Sequence, residues 1–135
     1  MRGEIVARSY ALALFELADR DGRIEEFGDG LQGVAALLDE SRDARLFLET
    51  PRIQREEKKR ALRKVLEGKL PAPVLNFLFL VIDKRRQRLI RVMNREYQLL
   101  VDDRLGRAHV EVSLAREPDA SLRAGIEERL TRFFG

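Results

Sequence analysis

A chain of 135 residues fits one ordinary domain and can bury a core without covalent staples. Its 26 basic and 23 acidic side chains nearly cancel, and the net charge of +3 falls short of the basic excess that strong nucleic-acid binding calls for. With no cysteine and one histidine, disulfide frameworks and thiolate chemistry are excluded and a metal site would have to be built from carboxylates almost alone, a composition compatible with a reducing compartment.

The first element is a helix over residues 4–20. Val6, Tyr10, Ala13, Leu14 and Leu17 recur at helical spacing beside Ala7, Ala11 and Ala18. Their arc spans roughly 200°, about twice what one core contact requires, so this helix must touch more than one neighbour. Asp21-Gly22 supplies its stop. A second helix over 23–39 turns Ile24, Phe27, Leu31, Val34, Leu37 and Leu38 to one face. Gly28, Gly30 and Gly33 lower its propensity, and with no strand before them they do not form a phosphate-cradling loop. Ser41 caps a short third helix carrying Ala44, Leu46, Phe47 and Leu48, which Thr50-Pro51 breaks. The fourth, over 54–66, buries Ala61, Leu62, Val65 and Leu66, sets Glu56 four residues before Arg60, and ends at Gly68.

Residues 74–82, VLNFLFLVI, are the most hydrophobic stretch and the fifth helix. Pro71 and Pro73 precede it, where a missing amide donor costs nothing, and Asp83-Lys84-Arg85-Arg86 closes it. Val74, Phe77, Leu78, Val81 and Ile82 share one arc, and Asn76, Phe79, Leu80 and Asp83 the other. Its longest unbroken apolar run, 77–82, is far short of the roughly 20 residues a bilayer span needs, and the N-terminus carries no apolar signal core. No direct membrane insertion is expected. A sixth helix covers 87–105, with Gly106 as its punctuation. Beyond it the period changes to two: Ala108, Val110, Val112 and Leu114 alternate with His109, Glu111 and Ser113, which predicts a strand over 108–114. A further helix follows over 120–133. The fold class is therefore mainly α, a six-helix N-terminal bundle over 1–105 followed by an incomplete α/β segment over 106–135.

No catalytic constellation is visible. The adjacent carboxylates Glu25-Glu26, Asp102-Asp103 and Glu127-Glu128 diverge by about 100° on a helix, and His109 has no nucleophile pattern near it. The basic clusters, Lys58-Lys59-Arg60 with Arg63-Lys64 and Lys84-Arg85-Arg86 with Arg88 and Arg91, lack an aromatic for base stacking and read better as solvated, dipole-complementing charge. The unusual feature is surplus apolar surface on the first and fifth helices. Either both are surrounded inside the bundle, or an amphipathic partner helix covers the excess.

The opening Ala7-Arg8-Ser9-Tyr10-Ala11, followed by Ala13-Leu14-Phe15 and Leu17-Ala18, resembles the first helix of the delta subunit of bacterial F-type ATP synthases, the family of the mitochondrial oligomycin-sensitivity-conferring protein. Phe47-Leu48, Pro51, Ile53, Lys58-Lys59, Asn76-Phe77-Leu78, Leu80, Asp83 to Arg86, Leu89, Tyr97, Gly106, Ala108 and Val110 agree in order. The resemblance implies a non-catalytic stator subunit without cofactor, whose bundle grips the N-terminal helix of an alpha subunit at the top of the catalytic head. That helix would lie against the first and fifth helices, with Tyr10, Ala13, Leu14 and Leu17 on one side and Asn76, Phe79 and Leu80 on the other. The resemblance also implies a place at the cytoplasmic face of the bacterial membrane and contact with the stalk's b subunits through the C-terminal region. Family members continue there with a further strand and a Gly-Gly segment that do not follow Gly135 in this sequence, so a truncated C-terminal part is expected. The reading from a different class is an all-helical RNA-binding module of the antitermination type, using the two basic clusters; the near-neutral charge weighs against nucleic acid.

Overall fold

A computed structural model describes the backbone of residues 2–115 and the side chains as far as residue 106. Six α-helices follow one another: α1 (Arg2–Asp21), α2 (Ile24–Glu40), α3 (Arg42–Glu49), α4 (Arg55–Leu66), α5 (Ala72–Asp83) and α6 (Ile90–Ala115), with a 3-10 turn at Gln87–Leu89 before α6. The chain divides into two compact units, Met1–Gln98 and Leu99–Gly135, and the packing described here belongs to the first. The expected mainly helical bundle is thus the observed one.

The helix ends follow from local chemistry. The Ser41 hydroxyl accepts from the Ala44 amide at 3.1 Å and caps α3. Pro73 stands in the first turn of α5, where no amide donor is missed. α1 and α5 end in the same double-bonded stop. In α1 the Arg23 amide donates to the Ala18 carbonyl at 2.8 Å and the Gly22 amide to Asp19 at 3.1 Å, with Gly22 at φ 67°. In α5 the Arg86 amide donates to Val81 and the Arg85 amide to Ile82, both at 2.9 Å, but the left-handed position is held by Arg85 at φ 59°. A side chain with a Cβ is uncommon there, and its cost is of order 1 kcal/mol.

α5 stands at the middle of the core. Val74, Leu78, Val81 and Ile82 are wholly enclosed, together with Phe27 and Leu31 of α2 and Ile90, Met93 and Tyr97 of α6. Each side chain of that size contributes roughly 1.5–3 kcal/mol on full burial. The buried face of α1 is made of Ala7, Ala11 and Ala18, small enough to let a neighbouring helix approach, with Leu14 and Phe15 beside them. The Phe15 ring meets Tyr97 edge-on at 5.7 Å, and the Tyr97 hydroxyl donates to the Ile24 carbonyl at 2.7 Å. Asn94 is buried but satisfied: its amide donates to Gln32 at 2.8 Å and its oxygen accepts from Gln98 at 3.1 Å. Gln98 also reaches the Gly28 carbonyl.

The sequence expectation fails at residues 108–114. They are not a strand; α6 continues through Gly106, whose φ is not positive, to Ala115. A single strand leaves its amides and carbonyls without partners, and no other strand exists among the described residues. A helix pairs them internally, and extending one already nucleated adds a hydrogen bond for each residue fixed. Four alternating apolar residues therefore misread a continuing helix. The α/β segment expected over 106–135 loses its strand, and its expected helix over 120–133 lies outside the described residues.

Candidate functional site

The surplus apolar surface of α1 and α5 meets at one point. The Tyr10 and Phe77 rings pack edge to face, with centroids 6.2 Å apart and planes at 70°. Ala13 and Leu17 lie three and seven residues on from Tyr10, and so on the same side of α1; Leu80 lies three on from Phe77, on the α1 side of α5. Ala13, Asn76 and Leu80 are exposed, Leu80 at 47 %, while Tyr10 and Leu17 are half-buried. Of the seven residues named from the sequence, these five keep exposed or half-buried surface on the two helices that the Tyr10–Phe77 contact joins.

The other two point elsewhere. Leu14 is only 3 % exposed and belongs to the core. Phe79 is half-buried against α4, where the Arg63 guanidinium lies 5.1 Å from its ring centroid. Both placements have one cause. Leu14 sits about 100° round α1 from Ala13, and Phe79 the same angle round α5 from Leu80. A helical wheel shows how wide an apolar arc is, but not which neighbour takes which part of it.

Two residues of the seam escaped the sequence reading. Phe77 forms its floor and reads as an ordinary core position. Arg86 holds Tyr10 in place: its guanidinium carbon lies 5.4 Å from the ring centroid and its Nη1 donates to the Tyr10 hydroxyl at 2.9 Å. Tyr10 and Arg86 stand 76 residues apart, and nothing in either local sequence pairs them. A cation stacked on an aromatic ring contributes about 0.5–1 kcal/mol at an exposed site.

The basic clusters are dispersed by the fold. Lys58 is buried at 3 % exposure and donates to the Thr50 carbonyl at 3.0 Å; burial pushes its ammonium below the ordinary lysine range. Lys59 is held above that range, first by its hydrogen bond to Asp83 at 2.9 Å and then by Glu56 at 3.1 Å. Glu56 is thus taken by Lys59 rather than by Arg60, the partner that the four-residue spacing predicts. Arg55 donates to the Asp83 carbonyl, Arg63 covers Phe79 and Arg91 pairs with Asp39 at 3.3 Å. Such charges fasten helices to one another and do not form one continuous stripe for a nucleic-acid backbone. Among the described residues no group of three or more His, Asp or Glu could hold a metal ion, and no helix is long and apolar enough to cross a membrane.

A helical bundle that leaves an apolar seam open between two adjoining helices has the build of a protein-docking module. Residues 6–135 match the family model described as ATP synthase delta (OSCP) subunit. The chain belongs to that family. It is 35 % identical over its whole length to an ATP synthase subunit delta of Symbiobacterium thermophilum, covering 73 % of that protein. It is 38 % identical over its whole length to the subunit delta of Gemmatimonas aurantiaca, again covering 73 %. Over 94 % of its length it is 35 % identical to that of Rubrobacter xylanophilus, of which it covers 70 %.

Proposed function

We propose that this chain is a stator subunit of an F-type ATP synthase, and that the seam between α1 and α5 holds the N-terminal helix of an alpha subunit. The observation that carries the reading is membership of the ATP synthase delta family over residues 6–135. The placement is supported by the Tyr10–Phe77 contact, which brings α1 and α5 together, and by the exposed Ala13, Asn76 and Leu80 and half-buried Tyr10 and Leu17 on those two helices. An amphipathic helix laid there gains affinity from desolvated area at roughly 25 cal/mol per Å² of apolar surface, without any rearrangement of the core. The subunit works as a passive joint: it catalyses nothing, and it transmits load between the catalytic head and the peripheral stalk. In this reading it is peripheral to the bacterial membrane on the cytoplasmic side and meets the b subunits through its C-terminal region.

The test is isothermal titration with a peptide of the cognate alpha subunit's first 20 or so residues, long enough for several helical turns. One-to-one binding with a negative heat-capacity change is expected. Ala13→Asp, which puts a carboxylate into the desolvated seam, weakens binding at least tenfold while leaving helicity unchanged; Leu80→Ala weakens it less. Unaltered affinity in Ala13→Asp would place the peptide elsewhere.

A further inference from the structure

Arg86 is a cation held in place beside Tyr10 before any partner arrives. Its amide donates to the Val81 carbonyl and its carbonyl accepts from the Leu89 amide, both at 2.9 Å, so the backbone is fixed on either side. The far end of the side chain is fixed as well: Nη1 donates to the Tyr10 hydroxyl at 2.9 Å, and the guanidinium carbon lies 5.4 Å from the ring centroid. A guanidinium carries several further N–H donors, and because Arg86 is exposed, water serves them. No protein anion does. Lys84, Arg85 and Arg86 are consecutive exposed cations, and among the described residues no carboxylate lies within ion-pair distance of any of them. Their neighbour in sequence, Asp83, is engaged elsewhere, its carboxylate accepting from Lys59 at 2.9 Å.

Docking changes what this cation needs. The fold leaves Tyr10 half-buried, with Phe77 against it edge-on. A helix that covers the remaining surface of the ring also displaces water from the guanidinium stacked on that ring. A cation stripped of water with no anion in return is costly, so a purely apolar helix is resisted at this point. An exposed arginine elsewhere, such as Arg52 between α3 and α4, keeps its water and makes no such demand.

Resting on the reading of α1 and α5 as the alpha-helix site, we infer that the docked helix carries an aspartate or glutamate that pairs with Arg86, placed within one turn of the apolar residue that covers Tyr10. One helical turn rises roughly 5.4 Å, about the separation of the guanidinium carbon from the Tyr10 ring centroid. A carboxylate one turn along the partner therefore reaches the guanidinium while the apolar residue stays on the ring. The pair returns what desolvation takes, so it acts on selection more than on raw affinity. Helices of equal hydrophobicity that lack the acid are rejected, and the register of the accepted helix is fixed.

The experiment is a double-mutant cycle, read by isothermal titration of the 135-residue chain with the peptide of the cognate alpha subunit's first 20 or so residues. Each acidic residue of the peptide is replaced in turn by its amide, at constant ionic strength. One replacement is expected to weaken binding to the parent chain about fivefold or more, and the others less than about twofold. In Arg86→Gln the unmodified peptide binds about fivefold more weakly, and the sensitive replacement has no further effect. Lys84→Gln removes an adjacent and equally exposed charge and leaves the discrimination between the two peptides in place. An Arg86→Gln chain that loses the same factor with both peptides would overturn the pairing, because loss of support for Tyr10 alone has that effect. Equal erosion of the discrimination by Lys84→Gln would overturn it too, by showing a diffuse field in place of a pair. Intact binding with no sensitive acid would overturn the pairing alone, whereas a parent chain that binds no peptide would overturn the alpha-helix reading and the pairing with it.

Discussion

At the scale of single residues, α2 carries two glycines whose sequence settings look alike and whose roles are opposite. A Cβ added at Gly28 would stand 3.0 Å from Cε1 of Tyr97, a ring that is wholly enclosed and fastened by its hydroxyl. The same atom at Gly33 would meet nothing within 4 Å. Alanine is favoured over glycine inside a helix by up to about 1 kcal/mol, so Gly33→Ala is expected to stabilise the chain by about 0.5–1 kcal/mol. Gly28→Ala gains the same propensity but forces the Tyr97 ring to move, and a net loss of about 1–2 kcal/mol is expected. Urea denaturation of the two variants checks both signs. The sequence shows why neither glycine belongs to a phosphate loop, yet not that one of them is the bed of a tyrosine, because that depends on a ring nearly 70 residues away.

At the scale of elements, Tyr97 joins α6 to α1 and α2, and its environment makes the join sensitive to alkali. Burial pushes its phenol from 10.0 up to about 12. Between those values the unfolded chain has given up the proton and the folded chain has kept it. Ionisation therefore favours the unfolded state, and stability falls as pH rises from 10 to 12, by roughly 2–3 kcal/mol at the upper end. Tyr97→Phe is expected to cost about 1 kcal/mol at pH 7 by leaving the Ile24 carbonyl without its donor. Its deficit against the parent should shrink and then reverse as pH climbs through that window. Urea titrations of the two proteins at pH 8, 10 and 11.5 measure this; a constant gap would mean that the phenol is not the titrating group. Burial lowers the Lys58 ammonium and hydrogen bonds to Asp83 and Glu56 raise that of Lys59, contributions common to both chains, which is why the difference between them is the quantity to follow.

Elements were also where the sequence was most and least legible. The starts and stops of α1 to α5 follow from Ser41, Pro73, Gly22 and apolar spacing, all local signals whose outcome is fixed within a turn or two of chain. The stretch 108–114 was misread because alternation over so few residues suits a helix nearly as well, and the choice depends on whether a pairing strand exists. The end of α5 was legible as a stop but not in kind. Nothing in Lys84-Arg85-Arg86 announces that an arginine will occupy a left-handed position.

At the scale of the whole molecule, the candidate site was legible as a surplus and illegible as a surface. The wheel assigns α1 and α5 more apolar arc than a bundle contact uses, and the fold divides that excess three ways. Leu14 goes to the core, Phe79 to Arg63 of α4, and Tyr10, Ala13, Leu17, Asn76 and Leu80 stay at the seam. Only long-range packing, such as Phe77 beneath Tyr10 and Arg86 across it, decides that partition. In the proposed reading this face is held in place beforehand: Phe77 packs edge to face with Tyr10, and Arg86 is tied to the same ring by both stacking and a hydrogen bond. A joint that bears load between a head and a stalk is served by such preorganisation, because little ordering remains to be done on binding.

The absence of cysteine from the chain makes the most direct test of this face a clean one. Single cysteines placed at Ala13, at Leu80 and, as a control, at the exposed Val65 of α4 are labelled with benzophenone and irradiated with the alpha-subunit N-terminal peptide. Covalent adducts at positions 13 and 80, with none at 65, are the predicted result. Adducts at 65, or none at 13 and 80 while the peptide still binds, would contradict the assignment of the α1–α5 seam as the alpha-binding site.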